Sequence, residues 1–197
     1  DMKNLIDDWD WTDVRPVHTE DEADDVLDEG LFTDEYDINL DDVEAGHTGT
    51  KEYLFRGESP EVIAELQTDK VALYSVTDSV VSKQMTDILV RHVKTAGLGD
   101  NLTIADGMAC VGGNSISFAR HPIFKNVISN ELDDKRVKML EHNLKSVLEL
   151  PNVVVVNSSI LDATFLGDID VLFLDPEWSD KSGKALDKIV IGKTELD

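Results

Sequence analysis

The sequence predicts an α/β domain with a parallel, doubly wound sheet, preceded by an acidic arm. Three observations predict it. Short apolar runs at Leu102 to Ala105, Val127 to Glu131, Val153 to Val156 and Asp170 to Asp175 read as strands. Segments of helical period separate them, and strands joined through helices of this length imply βαβ crossovers. The first run ends at Asp106, a turn of small residues follows to Gly112-Gly113, and Asn114 opens a helix.

Taken in order, the chain begins with a different kind of sequence. Its net charge is -23 over 197 residues, and Asp1 to Glu61 alone holds 21 acids against 4 bases. Residues 1–52 therefore form an acidic arm, extended or disordered, because few apolar groups offset the entropy of ordering. Trp9, Trp11, Phe32 and Tyr36 interrupt the acid. Two readings stay open: a solvated leader, or an arm that docks on a basic protein partner or a neighbouring subunit. The charge argues against the arm holding RNA, since phosphate binding depends on cationic side chains.

Residues 53–197 have the composition of a folded domain. Ser59-Pro60-Glu61 starts a helix with proline in its first turn. Leu73 to Asp78 reads as a short extended piece. Asp78 or Ser79 then caps a helix carrying Val80, Val81, Met85, Ile88, Leu89 and Val93 at helical spacing. After the glycine turn and the second strand, Asp133 and Asp134 start a helix running through Leu148, which Pro151-Asn152 breaks.

The single cysteine, Cys110, excludes an intramolecular disulfide and a Cys-rich zinc site. No apolar run reaches 18 residues and no charged-then-apolar leader is present. The expectation is an intracellular protein of a reducing compartment, cytoplasmic or nuclear, with no membrane partner and no metal.

Two spacings point to chemistry. Glu131 lies 25 residues after Asp106, at the end of the next strand. There a carboxylate accepts both ribose hydroxyls of a nucleoside, while the glycines let backbone approach the ligand. A nicotinamide-binding domain competes, but it carries GxGxxG, whereas Gly112-Gly113 here follow an acid at the strand end. That order suits a cationic methionine-bearing ligand, S-adenosylmethionine. The second clue is Asp175-Pro176-Glu177-Trp178. An acceptor, a rigid turn and a stacking face together suit methyl transfer to an exocyclic amine, which needs the amine positioned and its ring held in line.

With these residues the chain resembles the RNA cap guanine-N2 methyltransferases, the trimethylguanosine synthases. Asp106-Gly-Met-Ala-Cys-Val-Gly-Gly-Asn-Ser-Ile-Ser-Phe-Ala119 is similar to that family's DAFCGVGGNTIQFA. Tyr74-Ser75-Val76-Thr77 matches its serine-valine-threonine piece, Val127 to Asp133 its acid-bearing strand, and Asp175 to Trp178 its SPPW motif. The likeness covers roughly Tyr74 to Trp178.

The resemblance implies a Rossmann-like class I methyltransferase sheet, S-adenosylmethionine as cofactor and 7-methylguanosine-capped RNA as partner. Ser75, Thr77, Asp106, Gly112, Gly113, Asn114, Glu131 and Ser159 are implied around the cofactor. Asp106 and the glycines would lie at its methionine end and Glu131 at the ribose. Asp175 and Pro176 would orient the amine, and Trp178 would stack on the methylated base. The chain departs from the family at three places. Cys110 stands for a glycine, Ser159 for an aspartate at the adenine amine (a role Asp162 could also fill), and Ser179-Asp180 for a glycine pair. The three strands that complete such a sheet after the fourth are expected to be missing. Lys181, Lys184, Lys188 and Lys193 form either a solvated run or an approach to a cap triphosphate. Two other readings stay open: an amino-methyltransferase acting on a different RNA or DNA base, or a degenerate, non-catalytic interaction domain.

Overall fold

A computed structural model describes residues 49–176, together with two short strands at Ile189–Ile191 and Thr194–Leu196. Residues 1–48 of the arm and Glu177-Trp178 lie outside the described residues, as do the four lysines. The arm's last two residues, Lys51 and Glu52, are helical and not extended, because Thr50 caps a short helix there.

Three short helices, α1 (Lys51–Leu54), α2 (Pro60–Glu65) and α3 (Ala72–Ser75), precede the long α4 (Ser79–Thr95). Ser59 and Asp78 cap α2 and α4 by accepting from first-turn amides, as their sequence positions predict. The stretch from Leu73 is not extended throughout. The Asp69 carboxylate accepts the Ala72 N–H at 2.8 Å and starts the turn of α3. Extended backbone is then found at Val76 and at Asp78.

The sheet contains β1 (Leu102–Asp106), β2 (Phe124–Glu131), β3 (Val153–Asn157) and β4 (Val171–Phe173). All pairs are parallel, in the order β3-β2-β1-β4. The second strand starts three residues earlier than its apolar run, and the fourth is three residues long, shorter than predicted. Strand order reverses between β1 and β4: β2 and β3 step away on one side, and the chain then returns to the other. In open parallel sheets ligands bind at such a reversal, outside the carboxyl ends of the strands. After β4 the two described strands pair antiparallel with each other, β5 (Ile189–Ile191) with β6 (Thr194–Leu196), where the sequence pattern indicated no strand.

Helix α5 (Gly113–Arg120) follows the glycine turn. It packs on α4 through a polar seam. Ser82 Oγ donates to the Gly113 carbonyl at 3.0 Å, and Thr86 Oγ1 meets Ser117 Oγ at 2.8 Å. Ser82, Thr86, Val90 and Val93 are the buried residues of α4, while Val81 and Ile88 are exposed. The buried face is thus rotated from the stripe of large apolar residues. Small hydroxyl residues permit close helix approach and find partners for every donor there. Phe118 of α5 is fully buried and meets Phe124 and Phe173 edge-on, with ring centroids 5.9 and 5.2 Å away.

The helix after β2 is not uniform. Helix α6 (Asp134–Glu141) passes into a π-helical turn, His142–Val147. This wider turn carries buried Asn143, which accepts from Gln67 N–H at 2.7 Å and donates to the Gln67 and Val111 carbonyls. One side chain therefore ties the segment before α3 to the glycine turn. The helical run ends when the Leu150 N–H bonds the Leu144 carbonyl at 2.9 Å, with Glu149 in the left-handed region. Among the described residues no helix is long and apolar enough to cross a membrane.

Candidate functional site

A crevice opens at the strand-order reversal, floored by the glycine turn and walled by the ends of β2, β3 and β4 and by α3. The turn is set by backbone bonds from all sides. The Gly107 N–H donates to the Phe173 carbonyl at 2.9 Å, and the Ala109 N–H to the Asn130 carbonyl at 2.8 Å. The Asn130 side chain donates to the Gly107 and Ser158 carbonyls, each at 3.0 Å, and accepts from Ser158 Oγ at 2.7 Å. Every polar atom of the buried Asn130 side chain is thus partnered, which holds the loop in one shape.

Glu131 ends β2 facing this loop and is 7% exposed. Its Oε2 accepts the Cys110 N–H at 2.9 Å and its Oε1 the Asp133 N–H at 2.8 Å. Arg136 Nε lies 3.4 Å from Oε1. A carboxylate has about four acceptor sites, so beside these three donors one site, on Oε2, is left for a ligand hydroxyl.

The opposite wall carries a side-chain chain. Asn114 Nδ2 donates to Thr77 Oγ1 at 3.0 Å, and Thr77 Oγ1 donates to Asp175 Oδ2 at 3.4 Å. Burial raises the Asp175 carboxyl above its ordinary value, against the lowering bond from Thr77.

Ser75, Thr77, Gly113, Asn114, Glu131, Ser159 and Asp175 all line the crevice. Two other predicted residues are near it without lining it. Asp106 is 1% exposed and lies beneath the turn, its Oδ2 accepting from Ser115 Oγ at 2.7 Å while Oδ1 has no partner. Burial pushes its carboxyl up to about 7, against the Ser115 and Met108 hydrogen bonds and aided by the nearby Asp175 and Glu131 charges. Gly112 faces the core instead. Its φ is +109°, and an added Cβ would stand 2.9 Å from Leu144 Cδ2. Gly113 is constrained by space: a Cβ there would meet the Thr77 carbonyl oxygen at 2.5 Å. Pro176 is half-buried and not part of the lining. Trp178 lies outside the described residues.

Cys110 has φ +51°, a left-handed conformation that explains why glycine suits this turn position. Burial, then the Glu131 charge, push its thiol up to about 12. Ser159 accepts the Leu161 N–H at 3.3 Å, so its hydroxyl oxygen already caps a short helical turn beside the crevice.

Sequence reading missed Arg136, Asn130, Ser158 and the apolar wall of Val71, Leu132 and Ile160. Asn130 immediately precedes Glu131, but a strand residue whose side chain bonds two loops has no local signature. Arg136 sits one turn into α6, where a helical-face reading would aim it back towards the β2 end.

No family model matches the chain, and no curated protein does. Several solved structures are similar to part of it. EvdMO1 aligns over 44% of this chain and 20% of its own length, at 15% identity and TM-score 0.34. Its N-terminal domain with SAH bound aligns over 54% of this chain and 44% of its own, at 12% identity and TM-score 0.38. Trm5b from Pyrococcus abyssi aligns over 58% and 29%, at 18% identity and TM-score 0.35. The chain thus spans less than half the length of each. These are partial likenesses, and the fold class stands on the strand order itself. The domain is α/β, with the parallel 3-2-1-4 order of Rossmann-like sheets.

Proposed function

We propose that the chain binds S-adenosylmethionine in this crevice and transfers its methyl group to an exocyclic nucleobase amine. One observation carries the reading: Glu131 and Asp175, at the ends of β2 and β4, line a single crevice across the glycine turn. The residues fit the cofactor. Glu131 offers its remaining acceptor site to a ribose hydroxyl, and Leu132 and Ile160 offer apolar surface for a flat ring. Carboxylates at the lining, Glu131 and Asp175, suit a cation.

The cofactor supplies a methyl group on a positively charged sulfur, which makes the methyl carbon electrophilic. Asp175 accepts a hydrogen bond from the substrate amine and holds its lone pair towards that carbon. The new N–C bond forms as the S–C bond breaks, S-adenosylhomocysteine is left, and the amine loses its extra proton to solvent. Positioning supplies most of the acceleration in such a transfer. The finer reading, from the sequence resemblance, is guanine N2 of a 7-methylguanosine cap, with Trp178 stacking on the base.

Calorimetry with S-adenosylhomocysteine and with NAD tests the cofactor. Binding of the first and not the second is expected, and NAD binding alone would sink the reading. Transfer of labelled methyl to 7-methylguanosine-capped RNA, lost in Trp178→Ala, tests the substrate. Equal transfer to uncapped RNA or to adenine would point to another base, and cofactor binding without any transfer to a non-catalytic domain.

A further inference from the structure

Thr77 touches two groups of the crevice wall that come from different elements of the fold. Asn114 stands in the first turn of α5, directly after the glycine turn, and Asp175 stands beyond β4. The Thr77 hydroxyl has one proton. Because it accepts from Asn114 Nδ2 at 3.0 Å, its proton is left to point at Asp175 Oδ2, 3.4 Å away. The backbone at Thr77 is also held, since Gly113 packs so closely on its carbonyl that a Cβ would not fit. A fixed backbone and a directed hydroxyl make an aimed donor.

We infer that Thr77 is a positioning residue, oriented by Asn114, that fixes the direction and charge of the Asp175 carboxylate. This rests on the proposed transfer for its purpose: a carboxylate free to rotate would hold an amine in many directions, and only one is in line with the methyl group. The charged groups near Asp175 are Asp106 beneath the glycine turn, with Glu131 and Arg136 sharing the crevice. None of these reaches Asp175 by a hydrogen bond among the described residues, so Thr77 is the group that opposes its burial.

The test follows the Asp175 side-chain carboxyl by carbon NMR through a pH titration, its signal assigned by loss in Asp175→Asn. Thr77→Val keeps the shape and removes the donor, so Asp175 should titrate at higher pH than in the wild type. Thr77→Ser should restore the wild-type midpoint. Asn114→Ala releases the hydroxyl and should move the midpoint in the same direction as Thr77→Val. Adding Asn114→Ala to Thr77→Val should move it no further, because Asn114 acts only through Thr77. Coincident titrations of wild type and Thr77→Val, or additive shifts in the double variant, would overturn the inference. Wild-type calorimetry with S-adenosylhomocysteine separates the two questions. No binding there defeats the proposed function while leaving the Thr77 link to stand or fall by its titrations.

Discussion

Ser115 donates to Asp106 Oδ2 at 2.7 Å, and Ser129 donates in turn to Ser115 Oγ at 2.8 Å. This chain of hydroxyls joins α5 and β2 to the end of β1, yet supplies only one bond to a fully buried carboxyl. Desolvation wins, and the group stays protonated up to about pH 7.

A raised carboxyl makes folding favour proton uptake. Between the ordinary value of 3.8 and about 7 the native state binds the extra proton, so stability falls as pH rises through that window. The three-unit shift corresponds to about 4 kcal/mol as an upper bound. Asp106→Asn keeps the acceptor for Ser115 and removes the charge. Urea unfolding at pH 5 and pH 8 should show a smaller loss of stability with pH in Asp106→Asn than in the wild type. Equal losses would mean Asp106 is ionised in the native state throughout.

The glycines separate two causes of the same residue choice. Gly113→Ala places a Cβ 2.5 Å from a backbone oxygen that cannot step aside, so the Thr77 segment must move. The expected cost is about 1–3 kcal/mol, the range for overpacking, with weaker S-adenosylhomocysteine binding as Thr77 shifts. Gly97→Ala meets nothing within 4 Å, but its φ is +76°. It should cost about 1 kcal/mol from backbone strain and leave ligand affinity unchanged. Denaturation and calorimetry on both variants check the pair.

The parallel sheet and the glycine turn were legible because each is written in neighbouring residues: apolar runs, an acid at a strand end, Gly112-Gly113 before Asn114. Glu131 was legible by its spacing from Asp106. What escaped the sequence were relations across long separations. Asn143 meets Gln67 over 76 residues, and the π-helical turn that carries it has no composition of its own. The core role of Gly112 was hidden because a glycine that permits positive φ and one that approaches a ligand look alike in sequence. Helix α4 misled for another reason: its large apolar stripe is partly exposed, and Ser82 and Thr86 are buried beside Val90 and Val93 in its place.

Cys110 looks reactive by position, on a glycine turn at the edge of a crevice. Its surroundings say otherwise, because the thiol is pushed up to about 12 by burial and by Glu131. Only the thiolate is alkylated. Iodoacetamide at pH 8 should therefore modify the native protein about a thousandfold more slowly than the unfolded chain, from the three-unit shift above the ordinary 9.0. Equal rates would show that the glycine turn opens freely in solution.

The strongest test of the crevice is at Glu131, whose carboxylate serves the fold and the ligand together. It holds two backbone amides, Cys110 and Asp133, and the Arg136 side chain. Glu131→Ala leaves those donors without partners, so it should cost stability at about 1–3 kcal/mol for each amide left buried and unpaired. It should also weaken S-adenosylhomocysteine binding, by about 1–3 kcal/mol for lost charge-assisted bonds to the ribose. The two losses are separable. Glu131→Gln keeps an acceptor oxygen and the shape but loses the charge, so the turn should survive with less loss of stability while the nucleoside still binds more weakly. Thermal melts and calorimetry on both variants decide between the roles. If Glu131→Gln binds S-adenosylhomocysteine as tightly as the wild type, the carboxylate is a staple for the glycine turn and the ribose is held elsewhere.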